Sequence, residues 1–174
     1  MNHDKLRRLV LAALFAALVC AATNLVVPVP MLHGYVNLGD GTVLLAGFLL
    51  GPVWGAAAGG IGSMLADLLL GYMTYAPGTL LIKGAMAAVA ALLFRVLRKK
   101  TGDLTAALLG GIAAELIMVG GYFVYEAWLL GYGLSAAASV AGNALQGTAG
   151  LIFGALLCQI LYHIPAVKRA VRVF

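Results

Sequence analysis

Long apolar runs fill nearly the whole chain and constrain its fold more than any other feature. A helix needs about 20 mostly apolar residues to cross a hydrocarbon core ~30 Å thick, and several segments reach or approach that length. Of the 174 residues, 63% are hydrophobic and 10% are charged, and the mean hydropathy is +1.03. This composition excludes an ordinary soluble domain and indicates an all-α integral membrane protein.

Turn-forming residues divide the apolar sequence into six predicted spans within a single transmembrane domain. One break is Gly51 followed by Pro52, and another is Gly71 followed by Pro77 and Gly78. The second span is short for a full crossing, so its boundaries are the least constrained. The predicted spans are residues 6–27, 36–51, 53–71, 78–97, 104–130 and 135–162 of the 1–174 domain.

The basic residues predict the orientation of the chain, because Lys and Arg are retained in short cytoplasmic loops. With six spans, three basic clusters fall on one side, so both termini are expected in the cytoplasm. Orientation also accounts for the net charge of +5, and no nucleic-acid partner is needed to explain it. The clusters are Lys5, Arg7 and Arg8, then Arg95, Arg98, Lys99 and Lys100, and finally Lys168, Arg169 and Arg172.

Lys83 is the one basic residue that orientation does not explain, because it lies inside the fourth predicted span. A charge at that depth costs at least ~2.5 kcal/mol and therefore needs a partner or a wet cavity. Asp67, Asp40 and Glu126 are candidate partners at similar depth. Lys83 could form a structural ion pair, with Asp67, that pins two helices. Alternatively, it could line a polar pocket that is open to the outside and binds an anionic or acceptor-rich ligand.

The fifth predicted span carries a polar face. Glu115, Met118, Tyr122 and Glu126 recur at intervals of three or four residues, which places them on one side of a helix. A face with two acids is not expected to contact lipid. It is therefore expected to look into the bundle or into a pocket.

The sixth predicted span presents two amides, Asn143 and Gln146, three residues apart. Amides both donate and accept hydrogen bonds, which suits a heteroaromatic ligand, and Tyr122 or Trp128 could stack on its ring. The alternative is ordinary hydrogen bonding between membrane helices, worth ~0.6 kcal/mol per contact. For Gln146 alone, that alternative is favoured.

Alanines form two adjacent stripes along the first predicted span, with Ala12 and Ala16 on one and Ala13 and Ala17 on the other. Small residues let helix backbones approach closely. Such stripes commonly serve packing inside a bundle, but this one starts at the cytoplasmic end, where another membrane subunit could dock.

Signatures of enzymes, metals and disulfides are missing from the sequence. There is no phosphate-binding loop, no G-x-S-x-G elbow and no H-E-x-x-H motif, so we expect no enzymatic activity, cofactor or metal. Cys20 and Cys158 lie inside predicted spans and are interpreted as small packing residues. The first span is too long for a typical cleaved signal peptide.

Three stretches together resemble a known family. They are "LAALFAALVCAATN" after the basic start, "YVNLGDGTVLLAGFLLGPVWGAAAGGIGSMLADLLLGY" and "YAPGTLLIKGAMAAVAALL". Their order, the six-span layout and the length resemble the substrate-binding S component of energy-coupling factor (ECF) vitamin transporters. The similarity is greatest to S components of the riboflavin, hydroxymethylpyrimidine and pyridoxine type.

This resemblance implies a six-helix bundle in a bacterial cell membrane that captures a vitamin at its outer side. It also implies partners, namely a membrane coupling subunit, contacted by the small-residue face of the first helix, and two cytoplasmic ATPases. Ala12, Ala13, Ala16 and Ala17 match that face. The substrate-binding residues are then predicted to be Lys83, Tyr122, Glu126, Asn143, Tyr35, His33 and Asp67.

Two other classes of function remain open at the sequence level. A stand-alone carrier or channel would move its substrate without ATPases, and a membrane enzyme would form a product. A secondary carrier commonly shows internal symmetry, and the two halves of this chain show no persuasive repeat.

Overall fold

The protein is an α-helical bundle with one short β-hairpin, seen in a computed structural model that describes residues 3–29 and 34–171. Within the described residues, five helices are long and apolar enough to cross a membrane. The long helices are α1 (His3–Asn24), α2 (Gly39–Leu70), α3 (Ala76–Thr101), α4 (Asp103–Val124) and α5 (Ala137–Leu161), and a short helix, α6 (Pro165–Ala170), follows.

Helix α2 is interrupted at Gly51, whose φ of 80° and ψ of −178° are not helical. A Cβ on Gly55 would lie 2.7 Å from the Cα of Gly47, and one on Gly59 would lie 3.1 Å from Val43 Cγ1. Residues eight apart in a straight helix are separated by ~12 Å. The two arms of α2, residues 39–50 and 52–70, therefore fold back and pack antiparallel, and they cover most of the predicted second and third spans.

The ends of α2 and α3 follow from local sequence. Gly71 ends α2 in the left-handed conformation, with φ of 85°, and its N–H contacts the carbonyls of Asp67 and Leu68. Helix α3 then starts with Pro77 in its first turn, where a missing N–H removes no helical hydrogen bond. The loop between them, residues 71–75, is short and brings two helix ends together.

An antiparallel hairpin joins α1 to α2 and was not predicted. Its strands are β1 (Val26–Val29) and β2 (Gly34–Asn37), with Val26 opposite Asn37. The predicted first span ran to residue 27 and the second began at residue 36, so both boundaries were wrong by a few residues. Valines favour extended backbone, and Pro28 cannot continue a helix interior.

Small residues allow the helices to pack closely around a core that contains Phe94, Met86 and Met118, all fully buried. For example, a Cβ on Gly62 of α2 would lie 2.4 Å from the carbonyl oxygen of Ala16 on α1. Much of the outer surface is apolar, and Leu81 is 72% exposed. Such a surface is suited to lipid.

The basic clusters gather at one end of the bundle. Arg7 at the start of α1 donates a 2.7 Å hydrogen bond to the carbonyl oxygen of Arg169 in α6. Arg98 near the end of α3 donates one of 2.7 Å to the hydroxyl of Tyr162, which follows α5. Arg172 lies outside the described residues. The hairpin and the loop between α2 and α3 lie at the opposite end.

Candidate functional site

A cavity of about 440 Å³ lies at the hairpin end of the bundle. It is formed where α1, both ends of α2, the start of α3, the end of α4 and the start of α5 meet. Its lining is rich in hydroxyls, amides and carboxyls. The lining residues are Thr23, Asn37, Asp40, Ser63, Asp67, Tyr72, Tyr75, Thr79, Lys83, Tyr122, Glu126, Ala138, Ser139, Gly142, Asn143 and Gln146.

The charge at the centre of this lining is Lys83 on α3. Its ammonium forms an ion pair with Asp40 at the start of α2, and the two side chains are only 6% and 1% exposed. The Lys83 nitrogen also lies 5.5 Å from the ring centroid of Tyr122. The proposed ion pair with Asp67 was therefore wrong about the partner. Asp40 was among the candidates, and the return of α2 on itself places Asp40 nearer to the ammonium.

Amides hold the second oxygen of Asp40. Gln146 on α5 donates a 3.1 Å hydrogen bond to Asp40 Oδ2, and Asn37 donates one of 3.2 Å to Gln146 Oε1. Asn37 Oδ1 in turn accepts from the N–H of Gly39, at 2.8 Å. Gln146 thus forms the interhelical hydrogen bonds favoured for it, and it does so in the wall of the cavity. Both carboxylate oxygens of Asp40 are therefore held, Oδ1 by Lys83 and Oδ2 by Gln146.

Another part of the lining comes from a turn of π-helix, Tyr125–Leu129, that follows α4 and contributes Glu126. Such turns often occur at functional sites, because the extra residue changes the direction of the side chains. Glu126 in this turn is 6% exposed and accepts hydrogen bonds from Ser139 Oγ, at 2.5 Å, and from the Tyr75 hydroxyl, at 3.4 Å. Burial and the nearby Glu126 raise the pKa of the Tyr75 phenol, so Tyr75 remains a neutral donor.

Several polar atoms in the cavity lining have no hydrogen-bond partner among the described residues. They are Thr23 Oγ1, Ser63 Oγ and Asp67 Oδ2, all buried. In native proteins, most buried polar atoms are paired with protein or with an ordered molecule. These three atoms therefore indicate positions where a bound molecule or water completes the hydrogen bonding.

The structure brings five of the seven predicted site residues to this one cavity, namely Lys83, Tyr122, Glu126, Asn143 and Asp67. That they bind a substrate stays a prediction. Tyr35 lies in β2 opposite Pro28, and His33 lies outside the described residues.

Some residues of the predicted polar face and stacking pair lie elsewhere. Trp128, a candidate for stacking on a ligand, is 82% exposed and does not line the cavity. Glu115 shares a helix face with Glu126 but lies three turns away, ~16 Å along the axis, and lines a different cavity.

Several lining residues were missed by the sequence analysis. Ser63 belongs to a stripe of small residues that is typical of packing, and Thr23 and Ser139 carried no separate signal. Tyr72 and Tyr75 have the interfacial character that many membrane proteins show. Their position between two predicted spans, at the level of Lys83, was the feature of the sequence that could have identified them.

The alanine stripes of α1 separate into an inner and an outer pair. Ala12 is 8% exposed and packs with Ala16 against α2. Ala13 and Ala17 are exposed. Ala12 and Ala16 therefore pack within the bundle, whereas Ala13 and Ala17 lie on the outer face of α1, and contact of this stripe with a partner subunit stays a prediction.

No group of three or more His, Cys, Asp or Glu side chains in the described part of the chain is arranged to hold a metal ion. Cys20 and Cys158 are free thiols.

Comparison with known proteins gives consistent relatives. The sequence profile of the family described as "ECF-type riboflavin transporter, S component" matches residues 3–163. An uncharacterised protein of Pyrococcus woesei is 37% identical over 135 residues, which cover 78% of this chain and 87% of the relative. The thiamine precursor transporter HmpT of Lactococcus lactis is 29% identical over 163 residues, which cover 92% of this chain and 91% of HmpT. The chain belongs to the S components of ECF-type transporters, a family of multi-pass membrane proteins, as its resemblance predicted.

Proposed function

We propose that this chain captures an unphosphorylated B-type vitamin or vitamin precursor in the 440 Å³ cavity and delivers it to an ATP-driven importer. The observation that carries the proposal is the cavity lining itself. It gathers a fixed Lys83–Asp40 pair, three tyrosines and buried polar atoms without partners at one end of an apolar bundle. Volumes of 300–1,000 Å³ are typical of sites for small molecules.

The charges in the cavity favour certain ligands. Lys83 is paired with Asp40, and among the described residues the carboxyls of Asp67 and Glu126 form no ion pair. A lining that offers carboxyl oxygens and whose cation is already paired gives a phosphate group no free counter-charge, and it suits neutral or cationic molecules with N–H and O–H donors. Planar heterocycles such as hydroxymethylpyrimidine, pyridoxine and riboflavin meet this description, and tyrosines offer aromatic surfaces to their rings.

The orientation of the site is part of the proposal. With the two arms of α2 counted separately, we propose six spans, so that both termini lie on the side of the basic clusters, and short basic loops are retained in the cytoplasm. The cavity lies at the opposite end and then opens to the outside of the cell. Capture of a scarce nutrient from outside a bacterial cell membrane requires this arrangement.

Energy is expected from partner subunits, because the sequence has no phosphate-binding loop. A membrane coupling subunit with two cytoplasmic ATPases is the arrangement that the family implies. Ala13 and Ala17 on the outer face of α1 offer a smooth helix surface for that contact.

The contact can be tested with a matched pair of variants. Ala13→Trp is expected to impair co-purification with the coupling subunit while leaving the thermal stability of the isolated chain unchanged. Ala12→Trp instead overpacks the α1–α2 contact and should lower the free energy of unfolding by ~1–3 kcal/mol. Normal assembly of Ala13→Trp would exclude this face as the interface.

Ligand capture can be tested with the purified chain in detergent. Thermal unfolding is measured with increasing riboflavin, pyridoxine or hydroxymethylpyrimidine, with their phosphorylated forms as controls. A ligand that binds only the folded chain stabilises it by ~2.7 kcal/mol at 100 times its Kd. We expect one unphosphorylated compound to do so and its phosphate ester to do much less. Substrate flux in liposomes without ATPases would instead support a stand-alone carrier or channel.

A further inference from the structure

A second, smaller cavity of about 210 Å³ lies between α4 and α5. Its walls are mostly aliphatic and include Ile112, Leu116 and Leu151. Ile112 is 46% exposed and Leu116 is 69% exposed, so the mouth of this cavity opens on the apolar outer surface of the bundle. A molecule dissolved in the lipid would reach it without crossing the first cavity.

One carboxyl group lies in this apolar wall. Glu115 is only 8% exposed, and neither of its oxygens has a hydrogen-bond partner among the described residues. Its Oε2 lies against Gly147 of α5, where an added Cβ would come within 2.8 Å of it. The nearby hydroxyl of Thr148 donates to the carbonyl oxygen of Ala144, at 2.8 Å, and so does not donate a hydrogen bond to Glu115.

The surrounding charges do not neutralise Glu115. Asp40 on α2 and Lys83 on α3 act on it electrostatically, but they form an ion pair with each other. The residues of α5 that line this cavity are not titratable. A buried carboxylate without a partner is strongly disfavoured, whereas the neutral acid is tolerated. Glu115 is thus suited to hold a proton until a basic group arrives.

We propose that this second cavity binds a small lipophilic amine with a single ring, which enters from the bilayer and pairs with Glu115. On binding, the O–H bond of the Glu115 acid breaks and an N–H bond forms on the amine, so that a carboxylate and an ammonium remain as a neutral pair. A dry cavity of ~150 Å³ accommodates benzene, so this larger one has room for a ring with a short amine arm. The site is separate from the first cavity and does not depend on the function proposed for it.

A hydrophobic carbodiimide tests the site in the full-length chain in lipid vesicles. Dicyclohexylcarbodiimide reacts with protonated carboxyls that are reached from lipid. The acid oxygen adds to its central carbon, the proton moves to a nitrogen, and an acyl shift leaves a stable N-acylurea with no leaving group. We expect mass spectrometry of peptides to find this adduct on Glu115. A water-soluble carbodiimide should label Glu115 at least ~10-fold more slowly, because an aliphatic wall excludes charged reagents.

Protection by a ligand then tests the binding chemistry. N,N-dimethylbenzylamine is a tertiary amine and cannot be coupled to the acid, and isobutylbenzene has the same shape without the basic nitrogen. The amine should slow labelling of Glu115 saturably, by at least ~10-fold, and isobutylbenzene should slow it far less.

Glu115→Gln provides the matched variant. It should lose the adduct, bind vitamin as the unsubstituted chain does and no longer be stabilised against heat by the amine. If that variant does not fold, the proposal is tested by the labelling of Glu115 in the unsubstituted chain, compared with and without the amine and the hydrocarbon. Absence of the adduct, equal labelling by the water-soluble reagent, or equal protection by amine and hydrocarbon would each overturn the proposal.

Discussion

Two cation clusters at opposite ends of the bundle contain the same kinds of residue but have different surroundings. Lys83 pairs with Asp40 and lies 5.5 Å from the ring of Tyr122. Arg98 pairs with Asp103, at 3.1 Å, and lies 4.3 Å from the ring centroid of Tyr162. Each cluster therefore joins helices through a cation, a carboxyl and a tyrosine.

The two clusters differ in whether the polar atoms around them lack hydrogen-bond partners. Arg98 donates to Asp103 and to the Tyr162 hydroxyl, and both ionic side chains keep a quarter to a third of their surface exposed, at 32% and 25%. Lys83 is buried beside a cavity whose lining includes polar atoms without partners. We therefore propose the Lys83 cluster as the ligand site and the Arg98 cluster as a structural contact between helices, because it is Lys83 that lies beside a cavity whose lining has unmet hydrogen bonds.

The largest effect is expected from Lys83→Met. Removing the ammonium leaves Asp40 buried without its cation, which should lower the free energy of unfolding by ~3–5 kcal/mol and weaken ligand binding at least ~100-fold. Calorimetry of unfolding and ligand titration measure the two losses. Adding Asp40→Asn should restore much of the stability, because no lone charge is left, but should not restore binding. Undiminished affinity in Lys83→Met would reduce Lys83 to a structural residue.

A smaller effect is expected from Glu126→Gln, which keeps the shape of the side chain and removes its charge. If Glu126 accepts a hydrogen bond from the ligand, affinity should fall ~10-fold, since charged hydrogen bonds contribute ~1.5–3 kcal/mol. Trp128→Phe is the matched control, because it lies in the same π-helical turn and is 82% exposed. Titration should separate the two variants, and equal affinities would remove Glu126 from the site.

Arg98→Met sharpens the comparison from the other end. The substitution removes a partly exposed ion pair and a contact with Tyr162, so the free energy of unfolding should fall by ~1–2 kcal/mol. Ligand affinity should stay within twofold of the unsubstituted chain. A large loss of affinity would show that the two ends of the bundle are coupled. The distinction between a structural contact at Arg98 and a ligand site at Lys83 would then not hold.

The smallest effect is a dependence on pH that arises from Tyr75. Its pKa is raised in the folded chain, mainly by burial and further by Glu126, above the value of about 10 in an unfolded chain. The folded state then holds the phenolic proton more tightly. The raised pKa of Tyr75 contributes fully to stability below pH ~10, and this contribution is lost as the pH rises through the pKa of the folded chain. The unfolding temperature of the unsubstituted chain should therefore fall more steeply above pH ~10 than that of Tyr75→Phe. Parallel curves of unfolding temperature against pH would contradict this.

Much of the helical layout could be predicted because apolar length and turn residues are local properties. The predicted spans 78–97 and 135–162 overlap almost fully with Ala76–Thr101 and Ala137–Leu161. The break at Gly51 was also predicted, since a proline follows a glycine there. The hairpin was not, because an apolar segment such as Val26–Val29 suits either a helix end or a strand.

The site could be predicted only as a set of depths along the helices. Lys83, Asp67 and Glu126 were expected at similar depth, and they share one cavity. The partner of Lys83 was less certain, because the choice between Asp40 and Asp67 depends on how α2 folds back on itself. Likewise, Ala12 and Ala13 differ in burial only through the rotation of α1 against α2, which no local pattern fixes.

The most direct test of the central claim is equilibrium binding of labelled vitamin to the purified chain, compared among the unsubstituted chain, Lys83→Met and Arg98→Met. We expect saturable binding of one unphosphorylated heterocycle per chain, lost in Lys83→Met and retained in Arg98→Met. Absence of binding by every vitamin and precursor tested, or equal binding by all three chains, would contradict it.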